Sequence, residues 1–365
     1  MKILYVSTVS NTINAFLIPH IKFLIEKGHQ VDVACFINQE LKDELLDLKV
    51  RVYDIPFSRK PYSLSNLKAY KILKRLIKEE GYDVIHSHTP IASFISRLIT
   101  RKSFSIKRIY TAHGFHFYKG APLLNWLIYY PIEKYLSKFT DVLITINQED
   151  YNIASKKMYA KENIMMHGIG IDLDKLNQPI NIEKKKSELE IDPKKFVILS
   201  VGELNKNKNH QLIIKALKKI QDKDFVYLIV GEGSLYKKLK KLVDKKQLNK
   251  KIKFLGYRYD VYDLYKISDL FVMPSLREGL PVSMMEALFS GTPIIGSNIR
   301  GIKDLLNQKQ ELMFNPNDSK EVTKLIAMQL KKPQKIKHFD LEKFSLQSLL
   351  EKVYTITIRD NNGSN

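Results

Sequence analysis

The chain contains 365 residues, of which 44% are hydrophobic, so we expect two globular domains rather than a single core or a disordered chain. Its formal net charge is +21, from 60 basic and 39 acidic residues. The lysines are spread through nearly every predicted helix and no known nucleic-acid module is present. We therefore expect acidic partners, such as nucleotide diphosphates, lipid pyrophosphates or anionic membrane, and no nucleic acid.

The single cysteine, Cys35, lies in an apolar run, so a disulfide framework is excluded and a reducing cytosol fits. The first residues, 1–7, are typical of a short strand rather than a secretory signal. No stretch has the roughly eighteen uncharged apolar residues that a membrane span requires. We expect a cytoplasmic protein that is soluble or peripheral on the membrane.

The first half of the chain alternates between strands and helices. Strands are predicted over 2–8, 31–36, 50–54, 83–86, 106–111 and 141–146. Helices are predicted over 14–28, 39–48, 64–80, 90–100 and 122–138. Such alternation indicates βαβ units and a parallel, doubly wound sheet, which binds its ligands at the carboxyl ends of its strands.

Histidines follow two of these strands. His86 and His88 form a His-x-His pair on one strand face, but a metal site lacks a third ligand or a nearby carboxylate. A role in loop structure or a substrate contact is favoured instead. In the segment 111–118, TAHGFHFY, His113 follows a strand directly, where active-site loops belong. Taken alone, His113 is better explained as a loop histidine with satisfied hydrogen bonds.

The second half begins a further α/β domain with strands over 196–202 and 225–231, each ending in a glycine. Gly202 allows close backbone approach, and Lys206 and Lys208 follow it as flexible cations suited to a phosphate. We expect domains over 1–173 and 188–338, joined by a polar linker over 174–187. The residues 339–365 are predicted to form a helix that packs on the first domain and a frayed tail from 360 onward.

A turn between a buried strand and a helix is the most informative segment. The apolar run 268–273 predicts the strand, and the helix begins near Pro281, so its free N–H groups form an anion site. Glu278 and Glu286 bracket this site. Because a carboxylate repels a phosphate, we expect each of them to accept hydrogen bonds from hydroxyl groups of the same ligand. A diphosphate with a sugar at each end satisfies both. The alternative, in which Glu278 caps a helix and Glu286 is a solvated surface residue, stays open on geometry alone.

Seven residues separate Glu278 from Glu286 within SLREGLPVSMMEALFSG, which resembles the E-x7-E signature of the family-4 retaining glycosyltransferases. This resemblance implies the GT-B fold, with two Rossmann-like doubly wound parallel-sheet domains facing across a cleft. The first domain would bind the acceptor and the second the nucleotide sugar. Glu278 would contact hydroxyls of the donor sugar and Glu286 the nucleotide ribose, while the amides of Gly279 and Leu280 would meet the diphosphate.

The resemblance also assigns roles to other residues. His113 would lie near the donor sugar and the reaction centre, and Tyr257 follows a segment whose backbone edges the nucleobase in relatives. Lys208 matches the family's diphosphate-binding lysine. Glu203 stands where the family has an arginine, so the cationic clamp is altered, and Lys206 is a candidate to compensate.

The implied activity is transfer of a sugar from a nucleotide donor, UDP being expected, with retention of anomeric configuration. The TAHGFHFY segment resembles members that assemble bacterial surface polysaccharides, so we expect a lipid-linked saccharide acceptor. No Asp-x-Asp metal signature is present, and neither a metal nor a cofactor is expected. Two alternatives remain, a UDP-sugar epimerase of the same architecture and a basic, non-catalytic binding protein. The basic helix 64–80 predicts peripheral attachment to the inner face of the cell membrane.

Overall fold

A computed structural model describes residues 1–103, 105–168, 170–306, 309–334 and 342–359. The chain divides into two compact units. Unit 1 comprises Met1–Gly170 with the described residues from Gln347 onward, and unit 2 comprises Ile171–Leu346. The tail predicted to fray, 360–365, lies outside the described residues.

Unit 1 contains a seven-stranded parallel sheet with the order β3-β2-β1-β4-β5-β6-β7. Its strands are β1 (Lys2–Val9), β2 (Gln30–Phe36), β3 (Val52–Asp54), β4 (Val84–His88), β5 (Lys107–Ala112), β6 (Val142–Thr145) and β7 (Glu162–Met165). Its helices are α1 (Ser10–Thr12), α2 (Ile18–Glu26), α3 (Asp43–Asp47), α4 (Ser65–Glu80), α5 (Pro90–Thr100), α6 (Leu123–Ser137) and α7 (Gln148–Lys157).

Unit 2 contains a six-stranded parallel sheet with the order β10-β9-β8-β11-β12-β13. Its strands are β8 (Phe196–Val201), β9 (Phe225–Val230), β10 (Ile252–Gly256), β11 (Leu270–Met273), β12 (Ile294–Ser297) and β13 (Met313–Phe314). Its helices are α8 (Leu173–Asn177), α9 (Ile182–Glu188), α10 (His210–Lys218), α11 (Tyr236–Lys245), α12 (Val261–Lys266), α13 (Val282–Phe289), α14 (Ile302–Leu305) and α15 (Ser319–Lys331). A last helix, α16 (Leu346–Ile358), follows and belongs to unit 1 from Gln347 onward.

The prediction of two parallel, doubly wound sheets is confirmed, and its physical basis is burial. Strands β9 and β11 are buried at every position, which is why they appear in the sequence as continuous apolar runs. Strand β4 is buried at every position too, but it contains His86, Ser87 and His88. The side chains of Leu349, Val353 and Ile356 on α16 belong to the same apolar cluster as Ile3 in β1.

The order of the strands fixes where ligands bind. In unit 1, β1 pairs with β2 on one side and β4 on the other, so the direction of winding reverses between β1 and β4. In unit 2, the same reversal falls between β8 and β11. Ligands of open α/β sheets bind at such switch points, beyond the carboxyl ends of the strands.

Two local predictions differ from the structure. The helix predicted over 14–28 is divided into the π-helical Ile13–Leu17 and α2, because Pro19 in the first turn of α2 has no N–H group for a continuous ladder. The helix predicted over 39–48 is shortened to α3, Asp43–Asp47. The stretch 174–187 contains most of α8 and α9, and its role as a linker stays a prediction. Among the described residues, no helix has the length and apolar character needed to cross a membrane.

Candidate active site

The loop from β11 to α13 brings two of the predicted site residues of unit 2 together. The Nζ atom of Lys208 donates a hydrogen bond of 2.8 Å to Oε1 of Glu278, and both side chains are largely buried. Lys208 follows β8 and Glu278 follows β11, the two strands that flank the switch point. Glu278 does not cap α13, because the N-cap residue of α13 is Pro281 and the cap has no side-chain hydrogen bond.

Two asparagines hold these two loops in register. The N–H of Leu276 donates to the Asn207 carbonyl at 2.8 Å, and Nδ2 of Asn207 donates to the Arg277 carbonyl at 2.9 Å. The Nδ2 atom of Asn209 donates to the carbonyl of Pro274 at 3.2 Å. Asn207 and Asn209 lie on either side of Lys208, and their partners directly precede Glu278, so these contacts fix the two loops next to each other. Neither asparagine was predicted from the sequence, although asparagines alternate with lysines over 205–209.

Glu286 lies in α13 and is not the solvated surface residue of the alternative interpretation. Its Oε2 atom accepts a hydrogen bond of 2.8 Å from the Tyr265 hydroxyl, and Oε1 accepts one of 3.4 Å from Tyr262. Burial raises the pKa of Glu286 to about 7, although the hydrogen bonds from Tyr265 and Tyr262 act in the opposite direction. A carboxyl group with this pKa changes its charge within the physiological range.

Glycines allow the backbone of the site to pack closely. A Cβ atom at Gly301, where φ is +74°, would lie 1.9 Å from the carbonyl oxygen of Gly279. A Cβ atom at Gly202 would lie 3.1 Å from Cε of Lys208, so the lysine stem packs directly against this glycine. Among the described residues, the N–H groups of Gly279 and Leu280 donate to no protein acceptor, which leaves them available to a ligand.

The other two predicted site residues of this unit, Lys206 and Tyr257, are exposed. Lys206 lies two residues before Lys208 in the same loop, but it is Lys208 that donates the hydrogen bond to Glu278. Tyr257 follows β10, is 64% exposed and packs edge-on against Tyr259 with ring centroids 5.1 Å apart. The structure therefore places both residues near strand ends of unit 2 but does not bring them into contact with the ion pair.

Three histidines of unit 1, His86, His88 and His113, lie together at the carboxyl ends of β4 and β5. The Nδ1 atom of His88 lies 3.2 Å from Nε2 of His113, and Nε2 of His86 lies 2.8 Å from the Thr111 hydroxyl. Burial lowers the pKa of His86 to about 3 and of His113 to about 4, and it lowers the pKa of His88 well below the usual range. All three rings are therefore uncharged at neutral pH.

The loop that carries His113 is fixed by the start of α7. Oδ2 of the fully buried Asp150 accepts a hydrogen bond of 3.0 Å from the Phe115 N–H and one of 2.8 Å from Asn147. Oε1 of Glu149 accepts a hydrogen bond of 2.6 Å from the Lys119 N–H. The contacts of these acidic residues with the loop were not predicted from the sequence, because the residues stand about 30 positions away from it. Among the described residues, no cluster of His, Cys, Asp and Glu side chains has the arrangement of a metal site.

Two family models match the chain. A model described as "Glycosyl transferases group 1" matches residues 181–342, and one described as "Glycosyl transferase 4-like" matches residues 2–147. EpsD of Bacillus subtilis, a protein assigned as a glycosyltransferase, is 33% identical over 342 residues, which cover 91% of this chain and 88% of EpsD. The fold and these matches define the class of the protein as a glycosyltransferase of GT-B architecture. The chain belongs to the group 1 glycosyltransferase family.

Two further proteins are similar over most of the chain. An Escherichia coli enzyme, UDP-Gal:alpha-D-GlcNAc-diphosphoundecaprenol alpha-1,3-galactosyltransferase, is 32% identical over 306 residues, 81% of this chain and 79% of that enzyme. The crystal structure of Anabaena HepE in complex with UDP has a TM-score of 0.75 at 19% identity, covering 98% of this chain and 95% of HepE. These comparisons give no support to the epimerase alternative.

Proposed function

We propose that the protein transfers a sugar from a UDP-linked donor to a lipid-linked saccharide, with retention of configuration and without a metal ion, during bacterial surface polysaccharide synthesis. The observation that carries this proposal is the contact between Lys208 and Glu278 beside the open N–H groups of Gly279 and Leu280. A cation, two donors and a carboxylate at one switch point match the diphosphate and the hydroxyls of a nucleotide sugar.

Charge on the departing diphosphate is the main electrostatic problem of the reaction. Lys208 and the N–H groups of Gly279 and Leu280 stabilise that charge, which also makes a divalent ion unnecessary. In a same-face reaction, the bond from the sugar C1 to the phosphate oxygen breaks and the bond from C1 to the acceptor oxygen forms. The proton of the acceptor hydroxyl passes to the leaving phosphate oxygen, so no protein nucleophile is needed.

The remaining site residues bind the donor. Glu286 accepts hydrogen bonds from the ribose hydroxyls, and His113 contacts the donor sugar. Gly202 leaves room for the diphosphate, while Lys206 supplies charge in place of the missing arginine and Tyr257 borders the base. UDP is favoured as the nucleotide because the Escherichia coli relative is named for a UDP donor and HepE was crystallised with UDP.

The acceptor and its location follow from the same relative and from the surface of unit 1. The Escherichia coli enzyme is named for a diphosphoundecaprenol-linked acceptor, which cannot leave a bilayer. On α4, the residues Lys68, Lys71, Lys74, Arg75 and Lys78 are exposed. On α6, Leu123 and Leu127 are 73% and 65% exposed, with Leu124 and Ile128 beside them on the same helix face. Basic and apolar side chains of this kind hold a protein at the inner, anionic face of a membrane.

The experiment that tests the proposal replaces Glu278 by glutamine, which keeps the shape of the side chain but removes its charge. We expect turnover of the UDP-sugar donor to fall by roughly 10²–10³, as for other lost charged contacts at a reacting centre. The assay is run in chelator, since a metal-independent enzyme keeps its activity there. Unchanged turnover in Glu278→Gln, or activity that returns with Mg²⁺ or Mn²⁺ alone, would contradict the proposal.

A further inference from the structure

His88 of unit 1 lies within hydrogen-bonding distance of His113. It is the last residue of β4, is buried, and its ring stacks on Tyr5 with centroids 5.5 Å apart and an interplanar angle of 19°. The ring of His86 lies against it at 4.3 Å. Because two rings confine His88, the direction of its Nδ1 atom is fixed toward His113 at 3.2 Å.

Two uncharged histidines that share a hydrogen bond have linked tautomers. One of the two nitrogen atoms, His88 Nδ1 or His113 Nε2, must carry the proton and the other must accept it. If His88 carries it, His113 is protonated at Nδ1. If His113 carries it at Nε2, its Nδ1 atom is an acceptor. The two cases give His113 opposite hydrogen-bonding roles toward a substrate.

The other nitrogen of His88 decides between these cases. Within the described residues, the buried Nε2 atom of His88 has no hydrogen-bond partner. An unpaired N–H group in a protein interior is rarer than an unpaired acceptor, so Nε2 is the nitrogen without the proton. The proton of His88 is therefore on Nδ1, and this N–H donates to Nε2 of His113.

We infer that His88 is a positioning residue that holds His113 as the Nδ1–H tautomer, so that His113 presents an N–H donor to an oxygen of the donor sugar. The contact to the sugar rests on the proposed function, whereas the tautomer rests on the histidine cluster alone. An uncharged N–H donor suits a hydroxyl or ring oxygen of the sugar. Such a group takes up no proton, so the proton of the acceptor hydroxyl remains free to pass to the leaving phosphate oxygen.

The ring nitrogens of His86 indicate the opposite tautomer, so His86 serves as an internal control for His88. Its Nδ1 atom has no partner among the described residues, while Nε2 lies 2.8 Å from the Thr111 hydroxyl. His86 is therefore expected to carry its proton on Nε2. His86→Leu removes a ring from the same stack two residues before His88, but it removes no hydrogen bond to His113.

The test is long-range ¹H–¹⁵N NMR of histidine side chains in the full chain, at pH values between about 6 and 8. We expect Nδ1–H for His88 and His113 and Nε2–H for His86 in the wild type. In His88→Leu, the His113 signals should shift toward Nε2–H, while His86→Leu should leave His113 as Nδ1–H. An Nε2–H tautomer for His113 in the wild type, or no change in His88→Leu, would overturn the inference.

Kinetics separate a positioning role from a merely structural one. His88→Leu should lower kcat by roughly 10–100-fold, as for other lost hydrogen bonds behind a functional side chain, with little change in the donor KM. His88→Asn, whose amide can donate from the position of Nδ1, should restore most of the lost kcat, and His86→Leu should lose less than His88→Leu. Equal losses in both leucine variants would contradict the inference. If no variant and no wild-type sample transfers any sugar, the proposed function fails while the NMR result still decides the tautomer.

Discussion

Glu286 combines two properties that rarely occur together, a charge suited to hydroxyl groups and an environment that opposes this charge. Burial raises its pKa to about 7, so near neutral pH a substantial fraction of the protein carries the uncharged acid. Ribose hydroxyl groups donate to the ionised carboxylate and therefore stabilise it. Binding of UDP should consequently draw a proton off this group.

We predict that UDP affinity weakens as the pH falls below about 7, by roughly tenfold per pH unit at the limit, because protonated Glu286 must first ionise. Calorimetry in two buffers of different ionisation enthalpy measures the released proton. The terminal phosphate of UDP titrates in the same range, so the informative quantity is the difference between the wild type and Glu286→Gln. The variant should bind UDP more weakly and lose this part of the pH dependence. Identical pH profiles would exclude the ribose role.

The paired loop lysines allow a second prediction at this scale. Lys208→Met keeps the stem that packs on Gly202 but removes the charge beside Glu278, so it should lower kcat and donor affinity together. Lys206→Met makes the same change two residues away, on an exposed side chain, and allows the two proposed roles to be compared. If Lys206 replaces the missing arginine, its variant should weaken donor binding as well. An effect of Lys206→Met larger than that of Lys208→Met would reverse the roles assigned to the two lysines.

Some of the site could be predicted from sequence and some could not, for a physical reason. Glu278, Glu286 and Lys208 stand in short segments whose spacing is set by one strand, one turn and one helix, and the structure places Lys208 and Glu278 in contact. Their roles stay predictions. The hydrogen bonds of Asn207 and Asp150 join side chains to loop backbone between distant segments. Such contacts follow no local period, because they depend on which strands are neighbours in the sheet.

At the scale of elements, the entry into α13 depends on a glycine in the next loop of the sheet. Gly301 precedes α14, and a Cβ atom at this position would meet the carbonyl oxygen of Gly279, beside the N–H groups that we propose bind the diphosphate. Gly301→Ala should displace the 279–280 backbone and strongly reduce donor binding, in addition to the cost of about 1–2 kcal/mol for a side chain at positive φ.

Gly291→Ala is the control for this variant. Gly291 ends α13 with φ of +73°, nearly the same as the +74° of Gly301, but a Cβ atom there would meet nothing within 4 Å. In chemical denaturation, Gly291→Ala should lose only the free energy that a side chain at positive φ costs, while Gly301→Ala should lose more because its Cβ atom meets the Gly279 carbonyl. Gly291→Ala should also retain far more affinity for UDP. Equal affinity in the two variants would show that the contact with Gly279 does not shape the site.

The sequence predicted most elements because parallel strands buried on both faces leave long apolar runs. β8, β9 and β11 lie within or beside the runs that indicated them. The π-helical Ile13–Leu17 was not predicted, because its five residues keep the apolar spacing of an ordinary helix. The late start of α3, at Asp43 rather than residue 39, was missed for a related reason, since a short amphipathic helix and a polar loop differ little in periodicity.

At the scale of the whole molecule, net charge alone attracts any anionic surface, so membrane docking must be separated from this general effect. We predict that the protein sediments with anionic vesicles but not with neutral vesicles, and less at high salt. Replacing Lys71, Lys74 and Lys78 on α4 by glutamine should weaken binding roughly a hundredfold, since each contributes about 1 kcal/mol.

The control removes the same charge from unit 2, by changing Lys237, Lys240 and Lys241 on α11 to glutamine, three exposed lysines of a similarly basic helix. This variant should bind vesicles nearly as well as the wild type. Equal weakening in both triple variants would indicate a non-specific effect of net charge, and binding that salt leaves unchanged would exclude an electrostatic mechanism.

Product analysis with a panel of UDP-sugars and lipid-linked saccharide acceptors tests the central claim most directly. Mass spectrometry should find one donor and acceptor pair that gives an acceptor heavier by one sugar, together with free UDP. NMR of that product should show the anomeric configuration of the donor. The account would be contradicted if UDP-sugar were isomerised without an acceptor, if the product had inverted configuration, or if no nucleotide sugar bound while oligonucleotides bound tightly.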